Sequence, residues 1–118
     1  MKLAVLGSGS WGSALSVHFG RLGFEVFQWC REGEVVEEIN RKRKNTLFLP
    51  GVVYPETVRA TSRVSEAVEG ADYVLSVIPT QHTSNFWKDN RAAKINNIRI
   101  RTNLNASDIV IVKFGEKY

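Results

Sequence analysis

The stretch Lys2–Ala14, KLAVLGSGSWGSA, decides how the rest of the chain is organised. It begins with the apolar run Leu3–Leu6, which has the length of a fully buried strand. Three glycines follow this run at the spacing G-x-G-x-x-G, namely Gly7, Gly9 and Gly12. A buried strand, a glycine-rich turn and a helix in this order predict a loop that binds the phosphates of a dinucleotide.

Each glycine has a different predicted role. Gly7 allows the tight turn after the strand, Gly9 lets a diphosphate approach the backbone because no Cβ intervenes, and Gly12 lets the helix pack close to the strand. At the helix N-terminus, amides without partners and the positive end of the helix dipole favour the same anion. The helical pattern places five residues on one face of this helix: Trp11, Ala14, Leu15, His18 and Leu22.

The composition is that of an ordinary globular protein, with 43% hydrophobic and 24% charged residues in a chain of 118. This length predicts one domain, yet it is shorter than the roughly 150 residues that two mononucleotide-binding halves usually need. No apolar run approaches the ~18 residues of a membrane span and the N-terminus lacks the features of a signal peptide, so we expect a cytoplasmic protein without membrane contact. The single cysteine, Cys30, is predicted to be a buried or half-buried thiol, and no metal is expected because no Cys/His cluster has ligand spacing.

The net charge of +4 comes entirely from the last part of the chain. Residues 1–84 carry nine basic and nine acidic side chains, whereas residues 85–118 carry seven and three. A basic segment suits nucleic acid, but this one has only four aromatic residues and no recognised binding motif. Nucleic acid is therefore disfavoured as a partner.

A second strand is predicted at Glu25–Trp29, after a helix C-cap at Gly23. In a βαβ unit the residue just past the second strand meets the adenosine ribose, where an acidic side chain favours a 2′-hydroxyl and an arginine favours a 2′-phosphate. The chain offers both, with Arg31 for a phosphate and Glu32 for a hydroxyl. The predicted cofactor is therefore NAD or NADP.

The rest of the chain continues to alternate helices and strands. The predicted elements are a helix at Glu34–Lys44, a loop at Thr46–Pro55, a strand at Val58–Thr61, a helix at Val64–Glu69, a buried strand at Tyr73–Ile78, a helix at Asn85–Ala93 and a fifth strand at Asp108–Val112. They predict a doubly wound, Rossmann-type α/β fold with a parallel sheet in the order 3-2-1-4-5 and no sixth strand. An incomplete sheet has an open edge and an uncovered apolar face, so we expect self-association.

The loop after the fourth strand is expected to face the cofactor, because open α/β sheets bind ligands at the carboxyl ends of their strands. Pro79 ends this strand and His82 lies in the loop that follows. A histidine here is either a general acid or base, or a loop residue that forms hydrogen bonds, and the second interpretation is favoured.

Four motifs in this order resemble one enzyme family. They are GSGSWGSA at 7–14, WCR at 29–31, EEIN…FLPG…P at 37–55 and a strand between GAD and PTQ at 70–81. Through them residues 1–84 resemble the N-terminal domain of bacterial NAD(P)-dependent glycerol-3-phosphate dehydrogenases. The resemblance implies reversible hydride transfer between the nicotinamide and the carbon shared by dihydroxyacetone phosphate and sn-glycerol 3-phosphate.

The resemblance also implies roles for particular residues. The serine and tryptophan of the family's glycine loop contact the dinucleotide, which implies the same for Ser10 and Trp11, although Trp11 also fits a core position on the helix. The family's basic position after the second strand corresponds to Arg31, and an aromatic that lies near the cofactor corresponds to Phe48. A family lysine that contacts cofactor and substrate follows the fifth strand, where this chain has Lys113 in a different motif; a surface lysine is the alternative.

Beyond residue 84 the resemblance ends, and the family's C-terminal helical domain, with its second catalytic lysine, is expected to be absent. Hydride transfer requires a substrate held over the nicotinamide and a proton donor for its oxygen. Residues 1–118 are therefore expected to form one dinucleotide-binding domain that meets glycerol phosphate only when the helical domain is supplied. The alternative hypothesis is a non-enzymatic dinucleotide-binding module whose basic tail, residues 85–118, contacts a partner.

Overall fold

The computed structural model describes residues 1–77 and the backbone of residues 99–102 and 110–113. These residues form six strands and three helices. In chain order they are β1 (Lys2–Leu6), α1 (Ser10–Arg21), β2 (Glu25–Trp29), α2 (Gly33–Lys42), β3 (Val58–Thr61), α3 (Val64–Val68), β4 (Tyr73–Ser76), β5 (Arg99–Thr102) and β6 (Val110–Lys113). The predicted elements up to β4 are confirmed, and their ends differ from the prediction by at most two residues.

The six strands form one sheet in the order β3-β2-β1-β4-β6-β5. The strands β3, β2, β1 and β4 are parallel to their neighbours in this row. Alternate residues of β1 face opposite sides of the sheet, so that Val5 packs in the core beneath α1 and α2 while Ala4 and Leu6 pack in the core beneath α3. The Rossmann-type fold and the predicted order of the first four strands are therefore confirmed.

The part of the sheet beyond β4 differs from the predicted single parallel strand. β6 overlaps the predicted strand Asp108–Val112 and lies beside β4, as predicted. However, β6 and β4 are antiparallel. β5 is a sixth strand, which sequence patterns did not predict, and it pairs with β6 in an antiparallel manner. Only residues 103–109 separate β5 from β6, and a parallel connection needs a crossover of about a dozen residues or more. The two strands therefore pair antiparallel, and β6, which lies between β5 and β4, runs against both.

Helix α1 packs on the sheet mainly through small residues, although the half-buried side chains of Leu15 and Phe19 also pack against the core. Trp11, His18 and Leu22 are exposed. The buried side of the helix consists of Gly12, Ser13, Ser16, Val17 and Gly20. These small residues let the helix axis approach the strands closely, and the ring of Trp11, 65% exposed, lies outside this interface. The expectation that Trp11 could be a core aromatic is therefore wrong.

Side chains from the C-terminal end of α2 cover the edge of the sheet at β3. Asn40 donates from Nδ2 to the carbonyl of Ala60 at 2.9 Å and accepts from the Ala60 amide at 2.8 Å, as a neighbouring strand would. Arg43 donates from Nη2 to the carbonyl of Val58 at 2.7 Å. Because these backbone groups are already bonded, the β3 edge does not present an open row for strand pairing. Self-association remains a prediction for other surfaces.

Within the described residues, no helix has the length and hydrophobicity needed to cross a bilayer. The same residues contain no group of three or more His, Cys, Asp or Glu side chains placed to hold a metal ion.

Candidate dinucleotide-binding site

The turn after β1 has the geometry predicted for the first glycine of the motif. Gly7 has a φ of +149°, in a region that L side chains rarely adopt. A Cβ on this residue would lie 2.9 Å from the carbonyl oxygen of Val77, just past β4. The amide of Gly7 donates to the carbonyl of Trp29 at 3.1 Å, so the turn is fixed between the carboxyl ends of β2 and β4. The tight turn predicted at Gly7 is confirmed.

The third glycine of the motif allows the helix to touch the turn. A Cβ on Gly12 would lie 2.9 Å from the carbonyl carbon of Gly7 and closer still to its oxygen. No side chain larger than hydrogen fits between helix α1 and the glycine loop at this point. The close packing predicted for Gly12 is confirmed.

The space in front of helix α1 fits a diphosphate. Gly9 is the N-cap of the helix, and apart from its neighbours in the chain no described residue has an atom within 4 Å of a Cβ built on it. No side chain caps the helix, and its first turn has no acidic residue. The amides of the first turn have no acceptor within the helix, and the helix dipole favours negative charge beside them. The residues present therefore suit the diphosphate of NAD or NADP.

The loop between α2 and β3 meets the start of α1 through Ser10. The hydroxyl of Ser10 donates to the carbonyl of Phe48 at 2.9 Å, and the half-buried ring of Phe48 packs against the core. Trp11, the next residue of the helix, is 65% exposed. Ser10, Trp11 and Phe48 are thus brought together around the open space at Gly9, and their contacts with a cofactor stay predictions.

Both candidate ribose-binding residues follow β2 at the carboxyl edge of the sheet. Glu32 is the N-cap of α2, and its carboxylate accepts a hydrogen bond of 2.6 Å from the hydroxyl of Ser8 in the glycine loop. Arg31 is exposed, and within residues 1–77 its guanidinium has no hydrogen bond or ion pair. Arg31 is therefore available to a 2′-phosphate, whereas Glu32 already holds the glycine loop.

Sequence patterns did not predict the buried polar cluster that lies beneath the glycine loop. Its four side chains, which we call the amide cluster, are no more than 2% exposed and are Ser13, Gln28, Asn45 and Tyr54. The available signal is Gln28 in the strand EVFQW, because a polar residue at a buried strand position must find hydrogen-bond partners. The cluster joins three of the segments that surround the open space at Gly9.

Cys30 follows β2 and is fully buried, which confirms the predicted buried thiol. Its amide donates to the carbonyl of Thr61 at 2.9 Å. Burial, with a smaller contribution from the Glu32 carboxylate, raises the pKa of the Cys30 thiol to about 12. The thiol is therefore protonated at neutral pH and does not act as a nucleophile in the folded protein.

Alkylation of Cys30 by iodoacetamide is expected to be at least about a hundredfold slower in the folded chain than in urea, because both exposure and thiolate are missing. Because Cys30 is the single cysteine, mass spectrometry of the intact chain measures this reaction directly. Alkylation in buffer at the rate seen in urea would contradict the placement of Cys30 in the core.

The three remaining candidate site residues follow β4 in the chain. Pro79 and His82 lie outside the described residues. The backbone of Lys113 pairs with Tyr73, the first residue of β4, and so lies at the opposite edge of the sheet from Gly7. The expected position of Lys113 at the cofactor edge is therefore wrong, because β6 runs antiparallel to β4. Its catalytic role, which depended on a parallel fifth strand, loses its structural basis.

Comparison with known proteins agrees with this site. A family model described as NAD-dependent glycerol-3-phosphate dehydrogenase N-terminus matches residues 2–107. The chain belongs to this family. The match includes the glycine loop, the α2–β3 loop and β4, and it extends beyond residue 84, where the resemblance in sequence motifs was expected to end.

Curated relatives of this dehydrogenase family align with the first two thirds of the chain. A glycerol-3-phosphate dehydrogenase (NAD(P)+) of Streptomyces griseus is 46% identical over 81 residues, which cover 69% of this chain and 24% of the relative. One of Nitratidesulfovibrio vulgaris is 48% identical over 83 residues, which cover 70% and 25%. The chain therefore spans about a quarter of the length of these relatives.

Solved structures with the same fold include dehydrogenases of the same name. The glycerol-3-phosphate dehydrogenase of Plasmodium falciparum matches 78% of this chain and 28% of its own with a TM-score of 0.72 and 33% identity. That of Coxiella burnetii matches 75% of this chain and 28% of its own with a TM-score of 0.63 and 28% identity.

Proposed function

We propose that this chain binds NAD(H) or NADP(H) and forms the cofactor half of a glycerol-3-phosphate dehydrogenase. The observation that carries the proposal is the uncapped N-terminus of α1 behind Gly9, where a Cβ would meet no described atom within 4 Å. A diphosphate in this space would accept hydrogen bonds from amides that have no other partner. Membership of the dehydrogenase family and the relatives' name support the same cofactor.

The proposed cofactor lies along the carboxyl edge of the sheet. Its diphosphate rests over Gly9, while Ser10 and Trp11 contact the dinucleotide beside the helix start. Phe48 borders the same space, and Arg31 meets the adenosine ribose. When bound, the cofactor supplies the hydride, and the residues of this chain bind it and fix its orientation. Pro79, outside the described residues, stays a predicted contact.

Dihydroxyacetone phosphate and sn-glycerol 3-phosphate are the proposed substrates of the complete enzyme. The curated relatives are about four times as long as the segment that matches this chain. Hydride transfer needs a substrate held in near-attack geometry and a proton donor at its oxygen. We assign these tasks to residues beyond the family's N-terminal region, so the 118-residue chain alone is expected to bind cofactor without turning over substrate.

Titration of the purified chain with NADH and NADPH, followed by tryptophan fluorescence, tests the proposal. Saturable binding at one site is expected, and ADP-ribose should compete because it carries the same diphosphate. Addition of dihydroxyacetone phosphate should cause no oxidation of NADH. A chain that is folded by circular dichroism but shows no saturable binding of either cofactor would overturn the proposed function.

Arg31→Ala is expected to weaken NADPH binding by about tenfold and to leave NADH binding nearly unchanged, because a guanidinium pairs with a 2′-phosphate that NADH lacks. The difference should shrink as salt is added, since the contact is ionic and exposed. Arg21→Ala is the matched control, because Arg21 is exposed at the far end of α1. Equal losses of NADH and NADPH in Arg31→Ala would show that Arg31 stacks on the adenine and does not distinguish the cofactors.

A further inference from the structure

We propose that the amide cluster positions the glycine loop for diphosphate binding, with Asn45 and Gln28 as the residues that hold the loop carbonyls inward. The inference deepens the proposed function and rests on it. It concerns residues that need not touch the cofactor, and it explains why four polar side chains are buried together beneath the loop.

Gln28 directs its amide donors toward the glycine loop. Its Nε2 donates to the carbonyl of Gly7 at 2.9 Å and to the hydroxyl of Ser13 at 3.1 Å. Its Oε1 accepts from the hydroxyl of Tyr54 at 3.1 Å. Burial raises the pKa of Tyr54, so its hydroxyl remains a donor across the neutral range. Because the carbonyl of Gly7 can only accept, the amide of Gln28 has one favourable orientation, with its nitrogen toward the loop.

Asn45 brings the α2–β3 loop into the same cluster. Its Nδ2 donates to the hydroxyl of Ser13 at 2.8 Å and lies 3.4 Å from the carbonyl of Ser8. Its Oδ1 accepts from the amide of Phe48 at 3.2 Å. The hydroxyl of Ser13 accepts from the side-chain amides of Gln28 and Asn45, and it donates to the carbonyl of Ser8 at 3.0 Å. Asn45 thus connects Phe48, a predicted cofactor neighbour, with the glycine loop.

The donors of the amide cluster therefore end on the carbonyl oxygens of Gly7 and Ser8. In a planar trans peptide the C=O of one residue and the N–H of the next point in opposite directions. Bonds that hold these two carbonyls inward turn the amides of Ser8 and Gly9 outward, toward the side that is open at Gly9. A loop whose donors are already aligned binds an anion without the entropic cost of ordering the loop on binding. The cluster accordingly sets the affinity for the diphosphate.

Asn45→Asp tests this arrangement because it exchanges a donor for an acceptor with almost no change of shape. At about pH 8 the carboxylate cannot donate to Ser13 or Ser8, and we expect NADH and ADP-ribose to bind about ten- to a hundredfold more weakly than to the parent. Burial raises the pKa of an introduced carboxyl, so near about pH 5.5 a protonated Asp regains a donor. Affinity is then expected to return to within about threefold of the parent.

The neighbouring titratable side chains are Tyr54 and Cys30, which stay protonated at both pH values, and Glu32, which bonds Ser8; the parent measured at both pH values is the control. Asn40→Asp is the matched variant, because the Asn40 amide also bonds one backbone carbonyl and one backbone amide, but at the β3 edge. It is expected to bind both ligands as the parent does at both pH values. Circular dichroism confirms that each chain is folded under the conditions compared.

Parent-like affinity of folded Asn45→Asp at pH 8 would overturn the inference, and so would a loss that is equal at both pH values. If Asn45→Asp does not fold at pH 8, Gln28→Met removes the donors to Gly7 without adding a charge. A loss of about threefold or more at both pH values is then expected, and parent-like affinity would again overturn the inference. Failure of the parent itself to bind NADH or NADPH is a failure of the proposed function and is visible before any variant is compared.

Discussion

Gly9→Val is expected to abolish saturable binding of NADH and NADPH while the chain remains folded. The valine side chain would occupy the open space in front of helix α1 in which the diphosphate is proposed to lie. Each charge-assisted hydrogen bond lost there is worth about 1.5–3 kcal/mol, so the loss of even one or two weakens binding by about ten- to several-hundredfold or more. Fluorescence titration against the parent measures this effect.

The fold should tolerate this substitution. The φ of −67° and ψ of −176° at Gly9 are extended backbone that valine readily adopts, and no described atom lies within 4 Å of the new Cβ. Valine is a poorer N-cap than glycine, which costs about 1 kcal/mol or less and lowers the melting temperature by a few degrees. Gly9→Ala is the graded control, with a smaller loss of affinity. Tight NADH binding by folded Gly9→Val would place the phosphates elsewhere.

The local geometry of the site follows from the sequence because the glycine motif fixes it residue by residue. Gly7 and Gly12 occupy positions where a Cβ would collide with Val77 or with the turn itself, and other residues could not take their place. The edge at which Arg31 lies follows in the same way, since the carboxyl ends of parallel strands meet at one edge of the sheet. These are consequences of covalent geometry and strand direction, which a pattern of residues records directly.

Sequence patterns could not identify the packed face of α1 in this way. Hydrophobic periodicity locates large apolar side chains, whereas the buried face of this helix consists mainly of glycine and serine. Gly12, Ser16 and Gly20 are selected by the distance between helix and sheet, a property of the assembled fold. The amide cluster escaped prediction for a related reason. Asn45 and Gln28 are distant in sequence, and only folding shows that they share Ser13 as a partner.

Sequence patterns also could not predict the strand direction in the last part of the sheet. Β-branched residues predict a strand near Val110–Lys113, but the choice between parallel and antiparallel pairing depends on the neighbouring strand β5 and on the short connection to it. The alternation of arginine with isoleucine and threonine in Arg99–Thr102 was the available signal. An error in direction moved Lys113 from one edge of the sheet to the other.

Gly12→Ala is expected to lower the free energy of unfolding by about 3 kcal/mol, the upper part of the range for overpacked sites. The added methyl would overlap the carbonyl of Gly7, and backbone cannot rotate away as a flexible side chain can. Either helix α1 must move away from the sheet or the turn must leave its positive φ. For a chain of this size we expect the melting temperature to fall by about 10 °C or more. Urea unfolding followed by circular dichroism measures the loss.

Gly33→Ala separates this collision from the general effect of alanine in a helix. Gly33 is the first residue of α2, and no described atom lies within 4 Å of a Cβ built on it. Alanine is favoured over glycine in a helix by up to about 1 kcal/mol, so Gly33→Ala should be as stable as the parent or slightly more stable. If Gly12→Ala lowers the free energy of unfolding and Gly33→Ala does not, the difference between these two first-turn glycines reflects the contact of Gly12 with the loop. Equal stability of Gly12→Ala and the parent would mean that α1 does not touch the turn, and the preformed phosphate site would have no rigid support.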